Sequence, residues 1–192
     1  MKEQLTPVDQ AEIIKCFIIS EFTPDALQKP FWQKEYLTVT DGKMMVIWDK
    51  VDRPGNDWPY KEGKKTKNSD FGIPKTKELL EKSNWSPLDL SLSALSLSGP
   101  EDGNWVRSAG KAKCLCCGEE DPSIVIEDPE ALKDIFVEGS WFQQRYLWAL
   151  KKLEDLEKLT FHKSPTRYED CFSLCFEASS FCGMIMPVRN VN

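Results

Sequence analysis

Four cysteines could supply metal chemistry in this chain. Cys114 and Cys117 have the two-residue gap and trailing glycine of a zinc knuckle, and Cys171 and Cys175 could provide two further thiolates. In strands, however, Cys114 and Cys117 would point to opposite faces, and Cys171 and Cys175 would lie about 13 Å apart. The pattern therefore favours buried structural cysteines and no cofactor, with a zinc site as the alternative.

Catalytic groups are sparse in this sequence. The single histidine, His162, follows Phe161 in an alternating segment, where a packing or surface role is favoured over a catalytic base. The sequence contains no nucleophile elbow, phosphate loop or His-Glu metal motif. We therefore expect that the protein is not an enzyme.

Basic residues are concentrated in one segment of an acidic chain. The chain has 25 basic and 31 acidic residues, a net charge of −6, so nucleic-acid contact would need a local basic surface. The densest basic cluster lies within a non-periodic segment rich in turn-forming residues and consists of Lys61, Lys64, Lys65 and Lys67. This segment is either a solvated loop or a set of phosphate contacts.

The last fifty residues have the clearest secondary-structure pattern. Phe142, Tyr146, Leu150 and Leu153 recur at helical spacing and predict a helix that begins near Trp141, with Ser140 as its cap. Three short apolar segments follow, separated by Ser-Pro and Ser-Ser. These segments predict three strands.

The first half of the chain has the same mixture of elements. Thr6 and Pro7 precede a predicted helix from Asp9 to Phe22, and Asp41-Gly42 predicts a hairpin turn between two strands, with a structural role for Asp41. Further segments predict a helix at 75–82, an alternating strand at 88–93 and two strands at 105–108 and 111–117. The fold class is therefore α+β.

This order of elements resembles the bacterial DNA polymerase sliding clamps. A helix containing Tyr-Leu-x-x-Leu-x-x-Leu, three strands and a final Met-Pro-Val-Arg at 186–189 are similar to the C-terminal half-domain of that family, and Thr-Asp-Gly at 40–42 and the segment at 106–111 are similar to other parts of it. The resemblance implies repeated half-domains, each a helix on antiparallel strands. It divides the chain into modules 1–49, 71–130 and 131–192 and a basic loop, 50–70.

The resemblance also implies a function and its residues. Clamps encircle double-stranded DNA through basic inner helices and bind polymerase-type peptides beside the C-terminal strand. The corresponding DNA-contact residues are Lys75, Lys77, Lys82, Arg145, Lys151 and Lys152, and the peptide-pocket residues are Met184, Met186, Pro187, Val188 and Arg189. The chain has room for about half of a clamp's six half-domains, so a ring would need a homo-oligomer. The expected function is a clamp-like replication accessory factor of a phage or mobile element.

The alternative is a small acidic inhibitor or adaptor that binds a host protein and touches no DNA. Seven tryptophans favour it, since tryptophan is common at interface hot spots. A clamp predicts basic residues of both helices on one face, whereas an adaptor predicts an exposed apolar or acidic patch. No apolar run approaches the roughly 20 residues of a membrane span and no leader is recognised, so we expect a cytoplasmic protein without membrane partners.

Overall fold

The computed structural model describes a little over half of the chain. The described residues are 5–18, 27, 30–33, 36–49, 51, 82–95, 97, 107–108, 111–113, 120–121, 133–166 and 170–188. In this part of the chain the fold is α+β, with antiparallel sheets and two short α-helices. No helix among these residues is long and apolar enough to cross a membrane.

The first helix, α1, spans Pro7–Ile18. Thr6 caps it as predicted: the Thr6 hydroxyl accepts a hydrogen bond from the Asp9 amide at 3.3 Å and donates one to the Asp9 carboxylate at 2.6 Å. Pro7 occupies the first helical position, where its missing N–H is harmless. The predicted end of this helix, at residue 22, lies outside the described residues.

The predicted hairpin is confirmed. Strand β1 (Phe31–Gln33) pairs with β2 (Tyr36–Thr40), which pairs with β3 (Met44–Trp48). Asp41 holds the turn between β2 and β3, because its Oδ1 accepts the amide protons of Lys43 and Met44, both at 2.9 Å. Gly42 has φ +90°, which a residue with a side chain rarely adopts.

In the middle of the chain the described elements are short. They are β4 (Ser86–Leu88), a 3-10 turn (Leu92–Ala94), β5 (Arg107–Ser108), β6 (Lys111–Lys113) and β7 (Glu120–Asp121). The prediction of a strand through 88–93 was wrong except at Leu88, because β4 ends there and residues 92–94 form the 3-10 turn. The Ala94 and Leu95 amides bond locally to the Ser91 and Leu92 carbonyls, and Leu92 is buried from this turn instead of from a strand.

The C-terminal segment contains a helix followed by three strands, as predicted. The elements are β8 (Asp134–Val137), β9 (Ser140–Gln143), α2 (Gln144–Glu154), β10 (Thr160–Pro165), β11 (Phe172–Glu177) and β12 (Phe181–Ile185). The predicted start of the helix was wrong. Ser140 does not cap it, because residues 140–143 pair with β8 and the buried Ser140 hydroxyl instead accepts the Phe172 amide proton at 2.8 Å.

The main sheet has seven antiparallel strands in the order β1-β2-β3-β12-β11-β10-β4. The pairing of β3 with β12 joins the N-terminal hairpin to the C-terminal strands, with Val46 opposite Gly183. Alternate residues of these strands form one core with α1 and α2, including Ile14, Val46, Leu150 and Phe176. The sheet draws strands from all three predicted modules; the module boundaries and the clamp-like repeat stay predictions.

Candidate protein-binding surface

Arg145, one of the predicted DNA contacts, belongs to a buried polar network. Its guanidinium lies 3.1 Å from Asp41 Oδ2, and the Tyr146 hydroxyl donates to the same oxygen at 2.6 Å. The side chains of Arg145 and Asp41 are 12% and 3% exposed. Arg145 Nε also donates to Gln143 Oε1 at 3.1 Å, and its cation lies over the Tyr146 ring.

This network has a fixed protonation state at Tyr146. Burial, together with the negative charge of Asp41, raises the pKa of Tyr146 well above its ordinary value. The hydroxyl therefore stays protonated and donates to Asp41. The network ties the β2–β3 turn to the first turn of α2, so the Arg145 charge is used within the fold.

The other predicted DNA contacts are not brought together in the described part of the chain. Lys151 and Lys152 are exposed in the last turn of α2, and Lys152 lies 3.9 Å from Asp155. Lys82 forms an ion pair with Glu177 on the sheet face opposite the helices. The remaining five candidates lie outside the described residues: Lys64, Lys65, Lys67, Lys75 and Lys77.

On that second sheet face, His162 is part of a packed polar cluster. Its ring lies 5.2 Å from the Trp85 ring, and its Nε2 lies 3.1 Å from Glu177 Oε1. The hydrogen bond from Lys82 outweighs burial and lowers the pKa of Glu177. Lys82 also lies over the Trp85 ring at 5.5 Å, so the cluster joins the segment before β4 to strands β10 and β11.

The described cysteines have the environment of structural residues. Burial raises the pKa of Cys175 to about 12 and that of Cys182 to about 11, so both remain thiols near neutral pH. Cys171 is half-buried, with its Sγ 3.2 Å from the Thr166 hydroxyl. Among the described residues no three His, Cys, Asp or Glu side chains are placed to hold a metal ion. Cys114 and Cys117 lie outside the described residues.

Among the described residues, the most exposed aromatic side chains lie on the β8–β9 hairpin. Phe136 is 53% exposed and Trp141 is 37% exposed, and their rings are 5.1 Å apart. The two residues are paired across the strands, so both point to the same face of the hairpin. The opposite face carries Ile135, Val137 and Phe142, which pack into the core.

Part of the predicted peptide pocket continues this surface. The Val188 amide donates to the Trp141 carbonyl at 2.7 Å in an antiparallel bridge, and the Met186 amide donates to the Lys43 carbonyl at 2.7 Å. Paired residues share a face, so Phe136, Trp141 and Val188 form one strip across three chain segments. We call this strip the hairpin surface.

The remaining pocket candidates lie around the strip or away from it. Pro187 is half-buried between Met186 and Val188. Met184 lies on the second sheet face, where it packs against Met45 and Ile47. Arg189 is outside the described residues. The hairpin surface therefore includes only the last part of the predicted pocket.

Phe136 and Trp141 were not among the residues predicted from the sequence. The helical pattern that begins at Phe142 is also compatible with Trp141, so the sequence predicts a helix where the structure has strand β9. Glu138-Gly139 was the available signal, because it separates two short alternating segments. Both residues adopt positive φ, 43° and 104°, as the tightest hairpin turns require.

Comparison with known proteins assigns this surface to no family. No protein-family model matches the chain. No curated protein and no solved structure matches it at a significant level. The geometry of the described residues is therefore the basis for assigning a function.

Proposed function

We propose that this protein is a non-enzymatic adaptor or inhibitor that binds another protein through the hairpin surface. The observation that carries the proposal is the neighbouring exposure of Phe136 and Trp141 on one face of a hairpin. Of the tryptophans in the described residues, Trp32, Trp48 and Trp148 are buried in the fold. Trp141 instead presents a large apolar area to solvent.

Binding energetics support this assignment. Aromatic side chains at the centre of an interface are the residues whose truncation most often costs about 2 kcal/mol or more of binding free energy. The hairpin surface offers two of them side by side, held by pairing on both edges of β9. The strip needs little ordering when a partner binds, which favours affinity.

The surroundings supply the polar rim that interfaces usually have. Asp134 lies on the same face of β8 as Phe136, and the positive charge of Lys43 acts on its carboxylate. Glu138, in the hairpin turn, forms an ion pair with Lys163 at 2.7 Å. Charges of both signs therefore border the apolar strip.

Site-specific photo-crosslinking tests the proposal. A benzoylphenylalanine replaces Phe136 in the full chain, and the control replaces Leu5, which is 37% exposed, like Trp141, but lies at the start of the described chain. We expect a protein captured from position 136 and not from position 5. Its affinity for the purified chain should fall at least about tenfold in F136A and W141A and stay unchanged in L5A. Equal affinity for all variants would reject the hairpin surface as the binding site.

The clamp-like function is the second candidate. Its support in the described residues is the adjacent, exposed pair Lys151 and Lys152 at the end of α2. A phage or mobile-element replication factor of this kind would bind double-stranded DNA by charge, with affinity that falls steeply with salt. It would also form a closed homo-oligomer, which light scattering measures. If K151E/K152E binds DNA like the unmodified chain, or if the protein is a monomer, this candidate fails.

A further inference from the structure

The outer edge of β8 has backbone groups that find no partner among the described residues. In the β8–β9 hairpin, the Gln144 amide donates to the Lys133 carbonyl at 2.8 Å. Hydrogen-bonded and non-hydrogen-bonded pairs alternate along antiparallel strands. In this register Ile135 and Phe142 form a hydrogen-bonded pair. The pairs on either side, Asp134 with Gln143 and Phe136 with Trp141, are non-hydrogen-bonded pairs.

The position of Val188 supports this register. Residues in non-bonded pairs direct their N–H and C=O away from the strand opposite them. Trp141 does so, since its carbonyl accepts the Val188 amide proton on the far side of β9. By the same rule Asp134 and Phe136 direct their backbone groups away from β9, and neither forms a backbone hydrogen bond there with any described residue.

We infer that the partner adds one extended strand to the free edge of β8, antiparallel to it, with an apolar side chain opposite Phe136 and a Lys or Arg opposite Asp134. This inference rests on the proposed function and names the class of its partner. Strand addition uses the backbone for affinity and alternate side chains for specificity. In an antiparallel segment the required order is apolar-x-basic, because the residue opposite Asp134 follows the residue opposite Phe136 by two.

Charge supports the cationic position. Asp134 is half-buried on the face of Phe136 and has no ion pair within 4.0 Å among the described residues. Burial raises the pKa of Asp134 more than the charge of Lys43 lowers it, so a close cation would favour the ionised form. The whole chain carries a net charge of −6, which also favours a basic segment.

We take the added strand as antiparallel, like the strand pairs of this fold, and a second copy of this chain does not suit the edge. Every strand pair in the described residues is antiparallel. Two copies could pair through β8 if the outward backbone groups of Asp134 and Phe136 in one copy formed hydrogen bonds with those of the other. Each Asp134 would then lie opposite a Phe136. That arrangement leaves both carboxylates without a cation.

Selection from a displayed library of random decapeptides tests the inference. The purified full-length chain is the bait, and the F136A/W141A double variant is the counter-selection. We expect enrichment of apolar-x-basic segments flanked by β-branched residues. Enriched segments with helical spacing that still need Phe136 and Trp141 would overturn strand addition and leave the proposed function standing. No enrichment over the double variant would overturn both.

N-methylated peptides test the backbone contact directly. In the proposed register the apolar residue of the peptide donates its N–H to the Phe136 carbonyl, whereas the N–H of the next residue points away. Methylation of the first nitrogen should weaken a selected peptide at least about tenfold, and methylation of the second should have little effect. Equal effects at both nitrogens would overturn the inference.

Charge exchange tests the cationic position. D134K should lose affinity for an apolar-x-Lys peptide and gain affinity for the matched apolar-x-Glu peptide. The control is E138K, which changes a neighbouring charge in the turn, beyond the end of β8. If D134K binds both peptides like the unmodified chain, or if light scattering shows a dimer that F136A dissociates, the inferred partner is wrong.

Discussion

Arg145 and Tyr146 of the Asp41–Arg145–Tyr146 network follow Trp141 of the hairpin surface by only a few residues, yet the two regions have opposite properties. In the network, charged and polar side chains are buried and satisfy one another. On the hairpin surface, the apolar side chains of Phe136 and Trp141 are exposed, with their rings 5.1 Å apart. The residue type that predicted binding, a basic side chain, is used for folding, and the type that usually fills a core is presented to solvent.

The contrast between the two regions follows from the free energy of removing charged and apolar groups from water. A charge removed from water needs partners of opposite charge and hydrogen bonds, so a buried cation with both belongs to the fold. Apolar area left in water is a cost that a second molecule can remove. Exposure and partners therefore separate folding residues from binding residues better than residue type does.

The largest expected effect on stability comes from removing Asp41, the acceptor that Arg145 and Tyr146 share. D41A removes the acceptor of Arg145 and Tyr146 and the carboxylate that holds the β2–β3 turn. Loss of one partner from a buried ion pair typically costs about 3–5 kcal/mol of unfolding free energy. Urea denaturation measures it, with the exposed Asp89 replaced in D89A as the control. A loss below about 1 kcal/mol would show that the network does not hold the turn.

Replacing Arg145 should cost less. R145M leaves Asp41 with the Tyr146 hydroxyl and two backbone amides, so we expect a loss of about 1–3 kcal/mol of unfolding free energy. K151M is the matched control, because it removes one positive charge from an exposed position on the same helix, and its stability should be nearly unchanged. If R145M is fully stable but any DNA binding is lost, Arg145 is a nucleic-acid contact instead.

Glu157 is, like Asp41, a carboxylate with hydrogen-bond partners inside the fold, and its contribution to stability can be measured by changing the pH. Burial would raise its pKa, but hydrogen bonds from the amides and hydroxyls of Ser179 and Ser180 outweigh burial and lower the pKa below the ordinary value of 4.5. The ionised form therefore stabilises the fold. E157Q should be less stable than the unmodified chain by about 1 kcal/mol at pH 7.

This difference has a defined pH window. A lowered folded-state pKa gives stability that is present above about pH 4.5 and is lost as the pH falls through the folded-state value. Unfolding free energies of both chains between pH 7 and pH 3 should therefore converge at the acidic end. Curves that stay parallel would mean that the carboxylate charge contributes nothing to the turn between β11 and β12.

The smallest expected effect on stability is at the hairpin surface. F136S and W141S remove side chains that are already 53% and 37% exposed, so we expect them to lower the unfolding free energy by only about 1 kcal/mol. The same variants should weaken partner binding at least about tenfold. Denaturation and binding measured on the same preparations check both parts. A large loss of stability would show that these side chains stabilise the fold, and the contrast between the hairpin surface and the network would then not hold.

Local patterns predicted much of the fold. Thr6 and Pro7 at the start of α1, Asp41-Gly42 between β2 and β3, and the helix followed by three strands all depend on residues close in sequence. Errors arose where two local patterns competed. Trp141 and Phe142 fit both a helical face and an alternating strand, and pairing with the distant β8 decided for the strand.

The candidate site was less predictable than the fold. Val188 was named from a sequence resemblance, but Phe136 and Trp141 become a surface only because Val188 pairs beside them. Arg145 was named as a DNA contact because its charge is visible in the sequence and its partner is not. Asp41 lies 104 residues away along the chain.

The sequence by itself determined the α+β class, the acidic net charge and the local turns, because capping, periodicity and composition act between near neighbours. Only the tertiary structure decided which charges are neutralised and which apolar side chains remain in water. The pairing of β3 with β12 and of Trp141 with Val188 brings distant segments together. Burial is a property of that whole arrangement, so no local pattern could separate Arg145 from Lys151 or Trp141 from Trp148.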